Sequence, residues 1–156
     1  MTVRFSRAEQ VLLGLGLFSL AMILGALGFQ YLGHLAPCEM CHWQRWPHIA
    51  AAILGIGGAF LARGQARLLA WMVIGLVLLS GLIGAYQAGM QIGWLPGPQA
   101  CTTPHPFVIG RTDNVVVQCN VVTWSLFGLS LAAYNGLLSI AAAALAALGL
   151  RRNNAA

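Results

Sequence analysis

The chain has 156 residues, of which 59% are hydrophobic and only 7% are charged. Soluble domains carry about 25% charged residues, so this composition excludes an ordinary soluble protein and predicts an integral membrane protein in a lipid bilayer. The formal net charge of +5 comes from arginines that are scattered between apolar runs and form no basic face. We therefore read the charge as a topology signal and expect no nucleic-acid partner.

Four apolar runs predict four transmembrane helices in one domain. The first, Val11–Phe29, is interrupted only by Ser19 and spans about 28 Å, close to the roughly 30 Å hydrocarbon core of a bilayer. This run exceeds the about 7 to 15 apolar residues of a cleaved signal peptide. We expect an all-α, integral membrane four-helix bundle over residues 1–156, with helices at about 9–32, 45–62, 67–88 and 121–150.

The arginines orient these helices, because positive residues are enriched in cytoplasmic loops. The sequence therefore predicts a multi-pass membrane protein with both termini cytoplasmic and two cysteine-bearing loops on the opposite side, which for the inner membrane of a bacterium is the periplasm. Disulfides form and persist in that compartment. Six of the eight arginines lie on the predicted cytoplasmic side: Arg4, Arg7, Arg63, Arg67, Arg151 and Arg152.

The candidate site lies in the first outer loop, where Cys38 and Cys41 form a Cys-x-x-Cys pair and Arg45 follows. This spacing suits a redox disulfide, a metal or haem. Pro47 fits without loss only in a first helical turn, which predicts a helix from about Gln44; a helix that begins earlier would be kinked there. Arg45 lies near Cys41 in both cases and would favour its thiolate. The alternative for Arg45 is a snorkelling interfacial charge.

The second outer loop, about Gln87–Asn120, holds Cys101 and Cys119. Loops of this length are usually functional. Cysteine pairs that relay electrons need a terminal electron acceptor. The chain has no nicotinamide or flavin fingerprint, which favours an apolar acceptor dissolved in the membrane, such as a quinone. We expect His34, His48 and His105 to be interfacial or loop residues and no metal site among them.

These features together resemble the disulfide bond formation protein B (DsbB) family over nearly the whole chain, roughly residues 11–150. The two cysteine pairs and Arg45 carry the resemblance, with Gly93–Pro98 before Cys101 and Trp124–Gly128 opening the last helix. The family often has a histidine where this chain has Tyr86–Gln87, and an aspartate where it has Asn120. These departures put a proton-donor role at those positions in doubt.

The resemblance implies a membrane protein-dithiol:quinone oxidoreductase. Cys101 would be attacked by a reduced periplasmic DsbA-like thiol oxidase, and Cys119 would resolve the mixed disulfide. Electrons would pass to Cys38 and Cys41 through a transient Cys38–Cys119 bridge, and then to ubiquinone or menaquinone beside Cys41 and Arg45. That the DsbA–DsbB–quinone system keeps the periplasm oxidising is a known property of the family and no inference from these residues.

Two other functions use the same cysteines. Cys38-x-x-Cys41-His42 is the attachment pattern of a membrane-anchored c-type haem protein. All four cysteines could alternatively form a structural zinc site. We expect neither, because the outer loops are too short to wrap a haem and the second pair lacks the usual Cys-x-x-Cys spacing of zinc sites.

Overall fold

The computed structural model describes residues 5–102 and 117–152, so the predicted features at Arg4 and His105 lie outside the described residues. The expected all-helical class is confirmed. The elements in chain order are α1 (Arg7–Tyr31), α2 (Glu39–Leu61), a short 3-10 turn (Arg63–Gln65), α3 (Ala66–Gln91), α4 (Gln99–Thr102), β1 (Ser125–Leu126), β2 (Leu129–Ser130) and α5 (Leu131–Arg151).

Three helices, α1, α3 and α5, are long and apolar enough to cross a membrane, which fits a membrane protein. We predicted four spans, and α2 does not meet the same criterion within the described chain. The first half of α2 is polar, with Gln44, Arg45 and His48 ahead of the apolar run. Those side chains are the ones that build the candidate site below.

Helix α2 begins at Glu39, so the start near residue 45 is wrong and the alternative of a helix that begins before Pro47 is confirmed. Pro47 lies inside the helix. Cys38 caps the helix, since its Sγ accepts a hydrogen bond from the Cys41 N–H at 3.2 Å. This cap satisfies one of the free N–H groups of the first turn and extends the helix through the cysteine pair. Cys41 and Arg45 are therefore separated by one helical turn on the same side of α2.

Helix α5 begins at Leu131 rather than near residue 121. Phe127 and Gly128 have φ angles of 50° and 79°, and they join β1 to β2 as a two-residue hairpin turn. Positive φ at both central residues is typical of such turns and incompatible with an α-helix. Ser130 then caps α5, where its Oγ accepts from the Ala133 N–H at 3.2 Å. Trp124–Gly128 thus precede the last helix instead of opening it.

Glycines bring the helices into backbone contact. A Cβ atom added at Gly55 of α2 would lie 2.7 Å from Gly16 Cα and 2.6 Å from the Leu12 carbonyl oxygen of α1. A Cβ at Gly136 of α5 would lie 2.9 Å from the Ala85 nitrogen of α3. Small residues allow such close packing of helices in lipid, where water exclusion does not drive association.

We expect Gly55→Ala to lower the free energy of unfolding by about 1–3 kcal/mol, because backbone atoms of α1 cannot yield to the new methyl group. Gly57→Ala is the matched control, since an added Cβ there meets nothing within 4 Å. Denaturant titration of both variants in micelles measures the difference. Equal stability of the two variants would contradict the close α1–α2 contact.

Candidate functional site

The Cys-x-x-Cys pair lies at the start of α2, where the helix cap places it. Cys38 and Cys41 are not bonded to each other, and their Sγ atoms lie 2.6 Å apart. The hydrogen bond between the two sulfur atoms, together with the positive charge of Arg45, lowers the pKa of Cys41 to about 6. The same contact raises the pKa of Cys38, as does its burial. The pair therefore favours a thiolate at Cys41, as the sequence predicts.

The second cysteine pair is joined: Cys101 of α4 and Cys119 form a disulfide with Cα atoms 5.5 Å apart. The Cys119 N–H also donates to the Cys101 carbonyl at 2.9 Å. Both residues are buried, so exposure does not distinguish them as the point of attack by a partner. Residues 120–130 separate Cys119 from α5, so it does not adjoin the last helix.

Gln87 of α3 connects the two pairs. Its Nε2 donates to Cys38 Sγ at 3.2 Å and to the Cys119 carbonyl oxygen at 3.2 Å. Cys38, Cys101 and Cys119 also share one buried cluster with Met40. In the sequence, Gln87 stands out only as a departure from the family pattern. An amide inside an apolar run was the signal available, because such groups are costly in membranes unless they have partners.

Arg45 points to α1. Its Nη1 donates to Gln30 Oε1 at 2.5 Å, and its Nη2 donates to the Ala26 carbonyl at 3.4 Å. Both partners are neutral, so these contacts orient the guanidinium without neutralising its charge. An oriented positive charge beside Cys41 is suited to stabilising negative charge on that sulfur or on a bound oxygen atom.

A cavity of about 370 Å³ opens beside Cys41 and Arg45. Its walls are mainly apolar, and the rings of Phe29 and Trp124 contact each other in the wall with centroids 4.9 Å apart. Cavities of about 300–1,000 Å³ with apolar walls and a few convergent polar groups hold small organic ligands. The apolar walls suit a small apolar molecule, and the Arg45 guanidinium could donate to an oxygen of that molecule.

Comparison with known proteins decides the family. The family model described as "Disulfide bond formation protein DsbB" matches residues 8–149. The chain belongs to the DsbB family. Disulfide bond formation protein B of Dechloromonas aromatica (strain RCB) is 31% identical over 137 residues, which cover 80% of this chain and 81% of the relative. Disulfide bond formation protein B 1 of Pseudomonas entomophila (strain L48) is 30% identical and covers 98% of this chain and 96% of the relative. No solved structure matches significantly.

DsbB membership confirms the resemblance that the sequence motifs indicated. It identifies a membrane protein of disulfide bond formation, with oxidoreductase chemistry. A zinc site would need four thiolates, whereas Cys101 and Cys119 are joined in this structure. The haem alternative rests on His42, which is exposed at the surface of α2.

Proposed function

We propose that the chain reoxidises a reduced DsbA-like thiol oxidase of the periplasm and passes the electrons to a membrane quinone, either ubiquinone or menaquinone. The observation that carries this proposal is the bridge from Gln87 to Cys38 and Cys119, which holds the two cysteine pairs together beside the cavity. Cys101 and Cys119 would be the first redox centre, and Cys38 and Cys41 the second.

The thiol chemistry balances as three exchanges. A partner thiolate attacks Cys101 Sγ, the Cys101–Cys119 bond breaks, and Cys119 leaves as a thiolate. When Cys38 and Cys41 are disulfide-bonded, Cys119 attacks Cys38 Sγ and expels Cys41 with the electron pair. Arg45 supports this direction, because its positive charge lowers the pKa of Cys41 and a more acidic thiol leaves faster. The partner's second thiolate then attacks the partner sulfur that is bonded to Cys101, so the partner leaves oxidised and Cys101 is released as a thiolate.

Cys119 is better placed than Cys101 as the nucleophile that attacks Cys38, because Cys119 and Cys38 bind the same Gln87 amide. Cys101 lies on the separate helix α4, three residues after Pro98, and remains for attack by the partner. This division of roles is the one that the family resemblance implies.

The quinone supplies an oxidant that accepts two electrons and two protons. Cys41 and Arg45 line the cavity that would hold its ring, and the other walls of that cavity are mainly apolar. The Arg45 guanidinium would donate to a ring oxygen that becomes more negative.

We also propose cytoplasmic termini and periplasmic cysteine loops. Two ring contacts support the placement of the arginine-rich ends of the helices on one side. The ring centroids of Phe5 and Phe60 are 5.6 Å apart, and the Arg151 guanidinium lies 5.8 Å from the Trp71 ring centroid. These contacts place the start of α1 beside the end of α2, and the end of α5 beside the start of α3. The cysteine pairs lie at the opposite ends of α2 and α3.

We expect Cys119→Ala to accumulate a covalent complex with the oxidised partner. Cys101 then keeps a thiol that attacks the partner's disulfide, and no Cys119 remains to resolve the product. Non-reducing gels and peptide mapping measure the complex and locate its bond. Cys101→Ala is the matched variant and should accumulate little complex. A complex bonded at Cys119 in Cys101→Ala, with none in Cys119→Ala, would reverse the two roles.

A further inference from the structure

A chain of buried polar side chains leads from the middle of the helices to Cys38. Each member is 7% exposed or less, although the surrounding helices are apolar. Buried polar groups within membrane-spanning segments are costly and usually functional. The members, from the interior to the thiol, are Ser19 (α1), His48 (α2), Asn135 (α5), Gln44 (α2) and Gln87 (α3).

A backbone carbonyl fixes the direction of the chain at its thiol end. The Cys119 carbonyl can only accept, so the Gln87 group 3.2 Å from it must be the NH₂ group, which also donates to Cys38 Sγ. Gln87 Oε1 then faces Gln44 and accepts from its Nε2 at 2.6 Å. Both amides therefore point their NH₂ groups toward the thiol pair.

A second carbonyl fixes the interior end. The Ser80 carbonyl lies 3.2 Å from Asn135 and can only accept, so the facing group is Nδ2, which also donates to Gln44 Oε1 at 2.8 Å. Asn135 Oδ1 lies 3.0 Å from His48 Nε2, which must carry the proton, and His48 Nδ1 then accepts from the Ser19 hydroxyl at 3.2 Å. In each of the five hydrogen bonds from Ser19 to Cys38, the donor is therefore the residue farther from the thiol and the acceptor is the residue nearer to it.

We propose that this series of buried polar side chains is a positioning relay. It directs a row of aligned hydrogen-bond dipoles at Cys38 Sγ and stabilises negative charge on that sulfur. In a head-to-tail chain each hydrogen bond polarises the next, so His48 and Asn135 act on a sulfur that they do not touch. The sequence expectation that His48 is an interfacial residue is wrong, because its ring is buried between α1 and α5.

The relay gives buried side chains a role in the proposed thiol exchange, and this role depends on the proposed function. When Cys101 attacks Cys119 in the Cys38–Cys119 bridge, the Cys101–Cys119 disulfide forms again and Cys38 leaves with the electron pair. Gln87 donates to Cys38 Sγ, which receives this charge. It also donates to the carbonyl oxygen of Cys119, the residue from which Cys38 departs. Stabilising Cys38 as a leaving group would therefore speed this step.

Few other charged groups face Cys38 from the described parts of the chain, residues 5–102 and 117–152. Cys41 lies 2.6 Å away, and Arg45 follows one turn later but is held by α1. Glu39 and His42 of α2 are exposed to solvent. Helix α3 presents amides to this site, and the second cysteine pair is in a disulfide. The titration of Cys38 is thus a direct readout of the relay once Cys41 is removed.

The test measures that titration in a full-length chain with Cys41→Ser, Cys101→Ser and Cys119→Ser, which leaves Cys38 as the single thiol. The pH dependence of its alkylation by iodoacetamide in detergent micelles gives the midpoint. We expect Gln87→Leu to raise the midpoint by about one pH unit, and Asn135→Leu to raise it by a smaller, measurable amount. Gln91→Leu is the matched control, because that amide contacts the Cys119 carbonyl at 3.5 Å without a bond to Cys38.

A shift in Gln87→Leu and Asn135→Leu, with none in Gln91→Leu, supports the relay. A shift in Gln87→Leu alone overturns it, as does an unmoved midpoint in both. If either leucine variant does not fold, the neutral Gln87→Met or Asn135→Ala takes its place under the same rule, since each loses the donor without adding a charge. The assay uses neither partner nor quinone, so its failure is distinguishable from failure of the proposed function.

Discussion

Replacing Cys41 with serine is expected to lower quinone reduction by the reduced partner by on the order of a thousandfold or more. Serine cannot form a disulfide with Cys38, so the second redox centre cannot be oxidised. Cys41 is also the sulfur whose pKa is lowered to about 6, and it lines the cavity together with Arg45. Absorbance of the quinone during turnover of the purified protein measures the loss.

The control for Cys41→Ser is exchange between the partner and the first redox centre. Cys101 and Cys119 remain disulfide-bonded partners in this variant, so a single oxidation of the partner by their disulfide should be retained. Normal quinone reduction in Cys41→Ser would show that electrons leave the protein from another group.

Replacing Arg45 is expected to weaken quinone binding and to slow quinone reduction, by about tenfold for lysine and about a hundredfold for methionine. The guanidinium reaches Gln30 and the Ala26 carbonyl with two different nitrogens while it lines the cavity. Lysine keeps the charge but loses this planar, two-sided geometry. Methionine loses both. The dependence of the rate on quinone concentration separates binding from reduction.

Arg67→Met is the matched control, because Arg67 is an exposed arginine at the opposite end of the helices. It should leave both quinone constants unchanged. If Arg45→Met keeps normal quinone kinetics and merely inserts less well into the membrane, Arg45 is an interfacial anchor and the quinone site beside Cys41 loses its main support.

The sequence allowed the spans to be predicted where hydrophobicity alone decides them. Helices α1 and α3 follow continuous apolar runs, and their predicted bounds lie close to the observed ones. The starts of α2 and α5 were wrong because local interactions decide them. A cysteine cap extends α2 past Pro47, and positive φ angles at Phe127 and Gly128 delay α5.

The cysteine pairs and Arg45 could be found from spacing, whereas their polar support could not. Gln87, His48 and Asn135 are far apart in the chain, and each is a common residue without a motif. Their hydrogen bonds depend on how α2, α3 and α5 pack, which hydropathy does not determine. An isolated polar residue in an apolar run marks a position that needs a partner but does not identify that partner.

The central claim is that electrons pass directly from Cys38 and Cys41 to a quinone. The most direct test uses the Cys101→Ala, Cys119→Ala double variant, reduced, freed of reductant and mixed with ubiquinone under anaerobic conditions. We predict that hydroquinone forms in an amount equimolar with the protein while both remaining thiols are lost to a Cys38–Cys41 disulfide. Thiols that persist beside unreduced quinone, in a protein that is folded and inserted, would contradict the account.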